Sequence, residues 1–309
     1  MFLLLFVFVV LGALFVWTSA QVLKIEDQYP PVGQFFGIDG EKTHFVDIDT
    51  AVAPTLPPIL FVHGASGNLK DQMTAFKRPL EEQARLIFVD RPGHGYSERG
   101  LAETPAKQAE RFKVLLDELK IEKTILVGHS LGAASVAAFA VLYPDRVQGL
   151  VFLAPATHSW DTGVTWYYDV AAFPVIGEIF TETILLPVGQ QALHSGSKAV
   201  FDPQPVPENY VVDAAIPLML RPKTFRSNAR DVANLNAFVK DFMGRYKEIM
   251  APTVVITGDK DDIVAPSIHS IGLERDIDGA ELVVLPGLGH KPDYAATDRV
   301  LEAIRAVAK

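Results

Sequence analysis

The chain opens on a run with no polar contrast at all. From Met1 to Trp17 no side chain is charged or strongly polar, and Phe and Leu dominate every face. A helix apolar all round suits a membrane span, which needs about 17–25 residues. The run is longer than the apolar core of a secretory signal and has no Lys or Arg before it. Thr18-Ser19-Ala20 supplies small residues where a signal peptidase could cut. The expectation is therefore a segment 1–20 that anchors the chain in a membrane, or exports it if cleaved near Ala20. Lys24 is the only nearby cation and Glu26 and Asp27 follow it, so orientation is poorly set.

Beyond the anchor the rhythm changes twice. Between Tyr29 and Val52 apolar and polar residues alternate, as in Gln34–Gly37 and Thr43–Val46, and predict an antiparallel pair. From Pro57 short continuous apolar runs appear at Pro58–Val62, Arg85–Val89, Thr124–Val127, Gln148–Leu153, Thr253–Thr257 and Leu282–Leu285. Such runs fit strands buried on both faces of a parallel sheet. Helical patterns lie between them, at Pro105–Lys120, Leu131–Leu142 and Asp293–Ala308. The alternation predicts an α/β fold: a mostly parallel open sheet flanked by helices. It breaks once, between Leu153 and Thr253. That stretch is aromatic and irregular, with a proline-rich middle at Asp202–Pro207. Phe225, Val232, Leu235, Phe238, Phe242 and Tyr246 then recur at helical spacing. The expected organisation is a core of 21–156 and 251–309 with a helical cap or lid at 157–250.

Composition narrows the classes. The 309 residues contain no cysteine, which removes disulfides, thiolate metal sites and a Cys nucleophile. A formal net charge of −9 gives no basic face for nucleic acid.

One motif carries chemistry. Gly128-His129-Ser130-Leu131-Gly132 follows an apolar run and opens an alanine-rich helix, the setting a nucleophile elbow requires. Small neighbours permit the strained turn that lifts the Ser130 hydroxyl, and the Leu131 amide points from the helix start at any oxyanion formed there. A serine needs a base. Of eight histidines, His290 stands on a glycine-rich loop past the last strand, where open α/β sheets place function. His129 reads as a packing residue of the elbow, and His63 and His94 as holders of loop backbones; His158, His194 and His269 receive no role. A carboxylate must orient the base, and Asp259, Asp261 and Asp262 all follow the run Thr253–Thr257. Chemistry alone does not choose among them.

Taken together these motifs resemble the α/β-hydrolase fold superfamily over about residues 55–156 and 251–309. His63-Gly64 is similar to its oxyanion loop, which implies the Ala65 amide as the second oxyanion donor beside Leu131. Asp90–Ser97 resembles the family's structural D-x-x-G-x-G-x-S turn. Gly258-x-x-Asp261-x-x-Val264 resembles its acid loop and selects Asp261; Gly289-His290-x-Pro292 resembles its histidine loop. The implied catalytic set is Ser130, Asp261 and His290. A serine at the elbow argues against haloalkane dehalogenases and epoxide hydrolases, which use aspartate there, and the absence of an HGGG run argues against hormone-sensitive-type lipases. The serine branch remains: esterases, lactonases, C–C hydrolases and perhydrolase-like relatives.

The expectation is hydrolysis of a carboxylic ester or related acyl substrate through an acyl-enzyme, with no metal or organic cofactor. The alternative is a C–C hydrolase or lactonase acting on a carboxylate-bearing substrate, which Arg221 or Arg226 would meet, although surface roles suit both arginines better. A lesser alternative is a non-catalytic ligand sensor on the same fold. Trp166, Tyr167 and Phe173 are expected to line an apolar pocket under the cap. The expected partners are a small apolar substrate and, through the N-terminal segment, a membrane.

Overall fold

The computed structural model describes residues 2–38, 40–49 and 53–309. Met1 and the end of the expected antiparallel stretch at Val52 lie outside them. Among the described residues, eight strands form one sheet in the order β1-β2-β4-β3-β5-β6-β7-β8. They are β1 (Gln34–Ile38), β2 (Glu41–Ile48), β3 (Ile59–Val62), β4 (Leu86–Val89), β5 (Thr124–His129), β6 (Val147–Leu153), β7 (Thr253–Gly258) and β8 (Glu281–Leu285). β1 and β2 pair antiparallel, as does β2 with β4, and every later pair is parallel.

The continuous apolar runs have the cause expected of them. Alternate residues of a strand point to opposite faces, and both faces are covered. Leu60, Val62, Ile87, Val89, Leu126 and Phe152 pack with Phe112, Leu115, Val136 and Phe139 of the helices Pro105–Glu118 and Leu131–Leu142. Ile59, Phe61, Leu86, Phe88, Ile125 and Val127 pack instead with Phe76, Leu80, Val300 and Ile304 of the helices Leu69–Leu80 and Thr297–Val307. The expected last helix is divided: a turn at Pro292–Ala295 precedes Thr297–Val307, and Ala296 between them leaves the helical conformation.

The chain between β6 and β7 is helical, as expected. Helices Trp166–Ala172 and Ile176–Phe180 lead through a wide turn at Thr181–Leu185 into Leu186–Phe201. The short helix Tyr210–Asp213 and the long helix Pro222–Phe242 follow.

The N-terminal helix is longer than its apolar run. It extends unbroken from Phe2 to Gln28, so the boundary expected at residue 20 falls inside it. Among the described residues it is the one unbroken helix long and apolar enough to cross a membrane. Phe2–Phe6 are exposed, whereas Thr18 and Ile25 are buried. Its last turns are seated on the helical segment: Val22, Ile25 and Tyr29 cluster with Leu186, Leu218 and Leu220.

Candidate active site

Everything expected to act meets beyond the carboxyl ends of β3, β5, β7 and β8. At the end of β5 the chain turns sharply into the helix Leu131–Leu142. Ser130 takes φ 51° and ψ −122°, a backbone conformation unfavourable for any residue with a Cβ. The turn is held because its neighbours are small. A Cβ on Gly128 would lie 2.9 Å from the Ala133 Cα, and one on Gly132 would collide with the Val62 and His63 carbonyls. The Ser130 amide donates to the Leu153 carbonyl at 2.9 Å, so the elbow is also fixed to β6.

Ser130 Oγ stands 3.0 Å from His290 Nε2, and His290 Nδ1 stands 2.8 Å from Asp261 Oδ2. All three side chains are buried. The other oxygen of Asp261 accepts from the Ile263 and Val264 amides at 3.0 and 2.9 Å, which fixes its plane. The neighbouring aspartates do other work. Asp259 accepts from the Gly287 amide at 2.7 Å and so ties the acid loop to the histidine loop. Asp262 lies on the wall of the open cavity next to His290.

The loop after β3 closes over Ser130. A Cβ on Gly64 would sit 3.0 Å from that of Ser130, so glycine there lets the backbone approach. Ser66, also at positive φ, donates its amide to Asn228 Oδ1 at 2.7 Å. Ala65 and Leu131 share one apolar cluster with Ala156, Leu235, Val239 and Val264, with Trp160 and Phe238 packed against it. The surroundings of the serine are therefore oily on the side of the helix Pro222–Phe242.

Sequence comparison now decides the family: residues 57–292 match the α/β hydrolase fold. The chain is an α/β hydrolase. Lipase 1 of Psychrobacter immobilis is 25% identical to this hydrolase over 256 residues, 81% of this chain and 76% of its own length. Among solved structures, the enol-lactonase from Burkholderia xenovorans LB400 superposes with a TM-score of 0.71 at 20% identity, covering 89% of this chain and 99% of that one. A membrane phospholipase A described as a bacterial virulence factor superposes with a TM-score of 0.69 at 19% identity, covering 99% of this chain and 97% of its own. Structural likeness at these identities establishes the fold.

His63, His94, His129 and His269 of the hydrolase hold backbone. His63 Nδ1 donates to the Gly64 carbonyl at 2.8 Å and its Nε2 accepts from the Arg91 amide at 3.0 Å. His94 lies between the Pro92 carbonyl and Arg91. His269 Nδ1 accepts from the Thr157 and His158 amides, and His158 meets Asp276 at 3.1 Å. His129 donates from Nε2 to the His290 carbonyl at 3.0 Å, a direct strut between elbow and histidine loop. Burial, the largest cause in each case, holds His63, His94 and His129 well below the ordinary histidine range and pushes His269 down to about 4. His194 is exposed.

Two expectations are corrected. Trp166 and Phe173 are 66% and 61% exposed, and neither lines the cavity beside His290; Tyr167 packs on Tyr168 and Phe225. That cavity, of ≈ 350 Å³, is bordered by Ser195, Lys198, Asp202, Asp262, Ile263 and His290. Arg221 is not on the surface: it is buried, bonded to Glu26 and the Gly95 carbonyl, and stacked over Tyr96. Arg226 pairs with Glu178 at 2.5 Å.

Sequence reasoning missed a charge cluster behind His290. Lys291 Nζ is enclosed and lies 2.9 Å from both Asp71 Oδ2 and Asp293 Oδ2, with the rings of Phe201, Tyr210 and Tyr294 around it. Ligating atoms of Asp71, His129 and Asp293 come within 4.8 Å of one another, a spacing suited to a metal ion. Here the Lys291 ammonium supplies the cation. Burial raises both carboxyls. At Asp71 burial is outweighed by the charge and hydrogen bond of Lys291 together with His129 and His63, and the pKa is lowered, whereas at Asp293 burial wins and raises it.

Proposed function

We propose that this hydrolase cleaves apolar carboxylic esters through an acyl-enzyme on Ser130, while held at a membrane by its N-terminal helix. The observation that carries the chemistry is the unbroken relay Ser130 Oγ, His290 Nε2, His290 Nδ1, Asp261 Oδ2, with steps of 3.0 and 2.8 Å. A carboxylate facing Nδ1 favours the tautomer with its proton there, leaving Nε2 free to accept the serine proton. Ser130 Oγ then attacks the ester carbonyl. The Ala65 and Leu131 amides receive the developing oxyanion, a contribution of about 10²–10³ in rate per donor. His290 passes the proton to the leaving alcohol, and water releases the acyl group by the same route. The apolar cluster of Leu235, Val239, Val264 and Trp160 suits an apolar acyl chain.

The helix Phe2–Gln28 supports an uncleaved anchor. Thr18, in the small-residue segment where a peptidase would cut, is buried within the continuous helix. The likeness to a membrane phospholipase A extends over 99% of this chain, the N-terminal helix included. A carboxylate-bearing substrate would not meet Arg221 or Arg226, since both are engaged elsewhere, while the likeness to an enol-lactonase keeps the lactonase alternative as a second reading.

The test is turnover of p-nitrophenyl esters from acetate to palmitate by the detergent-solubilised full chain and by Ser130→Ala. The variant should lose about 10⁴-fold or more with an unchanged unfolding midpoint. Ester hydrolysis surviving in Ser130→Ala refutes the reading. A serine that a fluorophosphonate labels, without turnover of any ester, would point to another acyl substrate or to a sensor.

A further inference from the structure

The helical segment exposes an apolar tip beside the N-terminal helix. Helices Trp166–Ala172 and Ile176–Phe201 meet at 114°. At and near the bend Phe173, Val175, Ile176 and Ile179 are 61%, 66%, 59% and 50% exposed, and Trp166 is 66% exposed. Val175 adopts φ 61°, a left-handed conformation that a β-branched residue resists. Ordinary surface loops are polar and place glycine or asparagine at such positions. No Lys or Arg occurs between Asp161 and Ser197, and Glu178, the one acidic residue within the tip, is paired with Arg226.

What covers this tip follows from where it sits. The N-terminal helix packs along Thr181–Leu185, immediately after the tip in sequence. Its covered positions, Leu11, Leu14, Thr18, Val22, Ile25 and Tyr29, recur at helical spacing on one side. Strongly exposed apolar residues begin above them, from Phe2 to Phe6. The apolar tip thus leads directly, along the chain, into the turn on which the anchor is seated.

We propose that Phe173, Val175, Ile176 and Ile179 insert into the lipid bilayer next to the N-terminal helix, so that the helical segment over the active site rests on the membrane. This rests on the anchor reading above. Aromatic and aliphatic side chains enter a bilayer through apolar burial, and a tip with no cation of its own does not require anionic lipid. Docking there fixes to the lipid surface one end of the helical run Ile176–Phe201, whose far end borders the cavity at Ser195 and Lys198.

The absence of cysteine makes the test direct. Phe8→Cys, Ile176→Cys, Ile179→Cys and Met250→Cys are each labelled with an environment-sensitive fluorophore in the full chain. The proteins are reconstituted in phosphatidylcholine vesicles containing nitroxide lipids. Met250 precedes β7, at the strand end away from the active site. Quenching at positions 8, 176 and 179 but not at 250 is expected. Quenching at 8 alone overturns the docked tip and leaves the anchor standing. No quenching at 8 overturns the anchor, and the inference with it. A label at 176 that is shielded yet not quenched by lipid assigns the tip to a second copy of the chain and also overturns the proposal. As an independent readout, Ile176→Glu with Ile179→Glu should lower hydrolysis of a vesicle-borne ester by about tenfold or more, leaving turnover of a soluble short ester unchanged.

Discussion

Lys291 shows what a single buried charge does near a reacting group. Lys291 follows His290 directly, and its ammonium pairs with two enclosed carboxyl groups at 2.9 Å. Removing one partner of a buried ion cluster leaves the others uncompensated, at about 3–5 kcal/mol. Lys291→Met should therefore destabilise the fold by that order, read as a drop in the urea midpoint. Adding Asp71→Asn should recover part of the loss, because one stranded charge is removed with it. A single variant with the parental midpoint would show that the cluster is not charged as drawn. The cluster was not legible in the sequence, since Asp71 and Lys291 lie 220 residues apart and neither belongs to a catalytic pattern. Ser130 and His290 were legible because each stands in a short glycine-framed motif. Asp261 was legible only through family resemblance: three aspartates crowd one loop, and only the fold shows which oxygen reaches His290 Nδ1.

At the scale of elements, the sheet could be read almost residue by residue, because a strand covered on both faces must be apolar throughout. The helical segment could be located but not oriented. An aromatic side chain has the same sequence signature whether it faces a pocket, as expected of Trp166 and Phe173, or the exterior, as found. One joint between that segment and the core is ionic. Arg91, fully buried, meets Asp231 of the helix Pro222–Phe242 at 2.7 Å, and Arg99 meets the same carboxylate at 2.8 Å. Arg91 follows β4 and also reaches the Gly64 carbonyl, so Asp231 fastens the helical segment to the loop beside the turn after β3. Asp231→Ala strands a buried guanidinium and should cost about 3–5 kcal/mol. The same change should raise protease sensitivity first within 157–250, as followed by limited proteolysis and mass mapping. Cleavage spread evenly over the chain would mean that this pair does not locally hold the segment.

Over the whole molecule the buried histidines set the response to acid. His63, His94, His129, His158 and His269 all have folded pKa values below the ordinary one, in each case chiefly through burial. The unfolded chain takes up protons on these rings near pH 6.5, while the folded chain refuses them until lower pH, about 4 for His269. The unfolded state therefore binds more protons in that window, and stability rises with pH across it and falls as pH drops. Each full proton of difference contributes a slope of about 1.4 kcal/mol per pH unit. Asp293 and Glu182, both raised by burial, act in the opposite sense, two groups against five. Asp71 and Asp276, held low, add to the acid loss only below their ordinary range near 3.8. Urea midpoints measured from pH 7.5 to 4.5 should stay level at first and then fall steeply below about 6.5. In His269→Gln, whose amide oxygen can still accept from the Thr157 and His158 amides, the fall should be shallower by up to the slope of one proton. A midpoint constant down to pH 4.5 would mean that these rings are not held neutral by the fold.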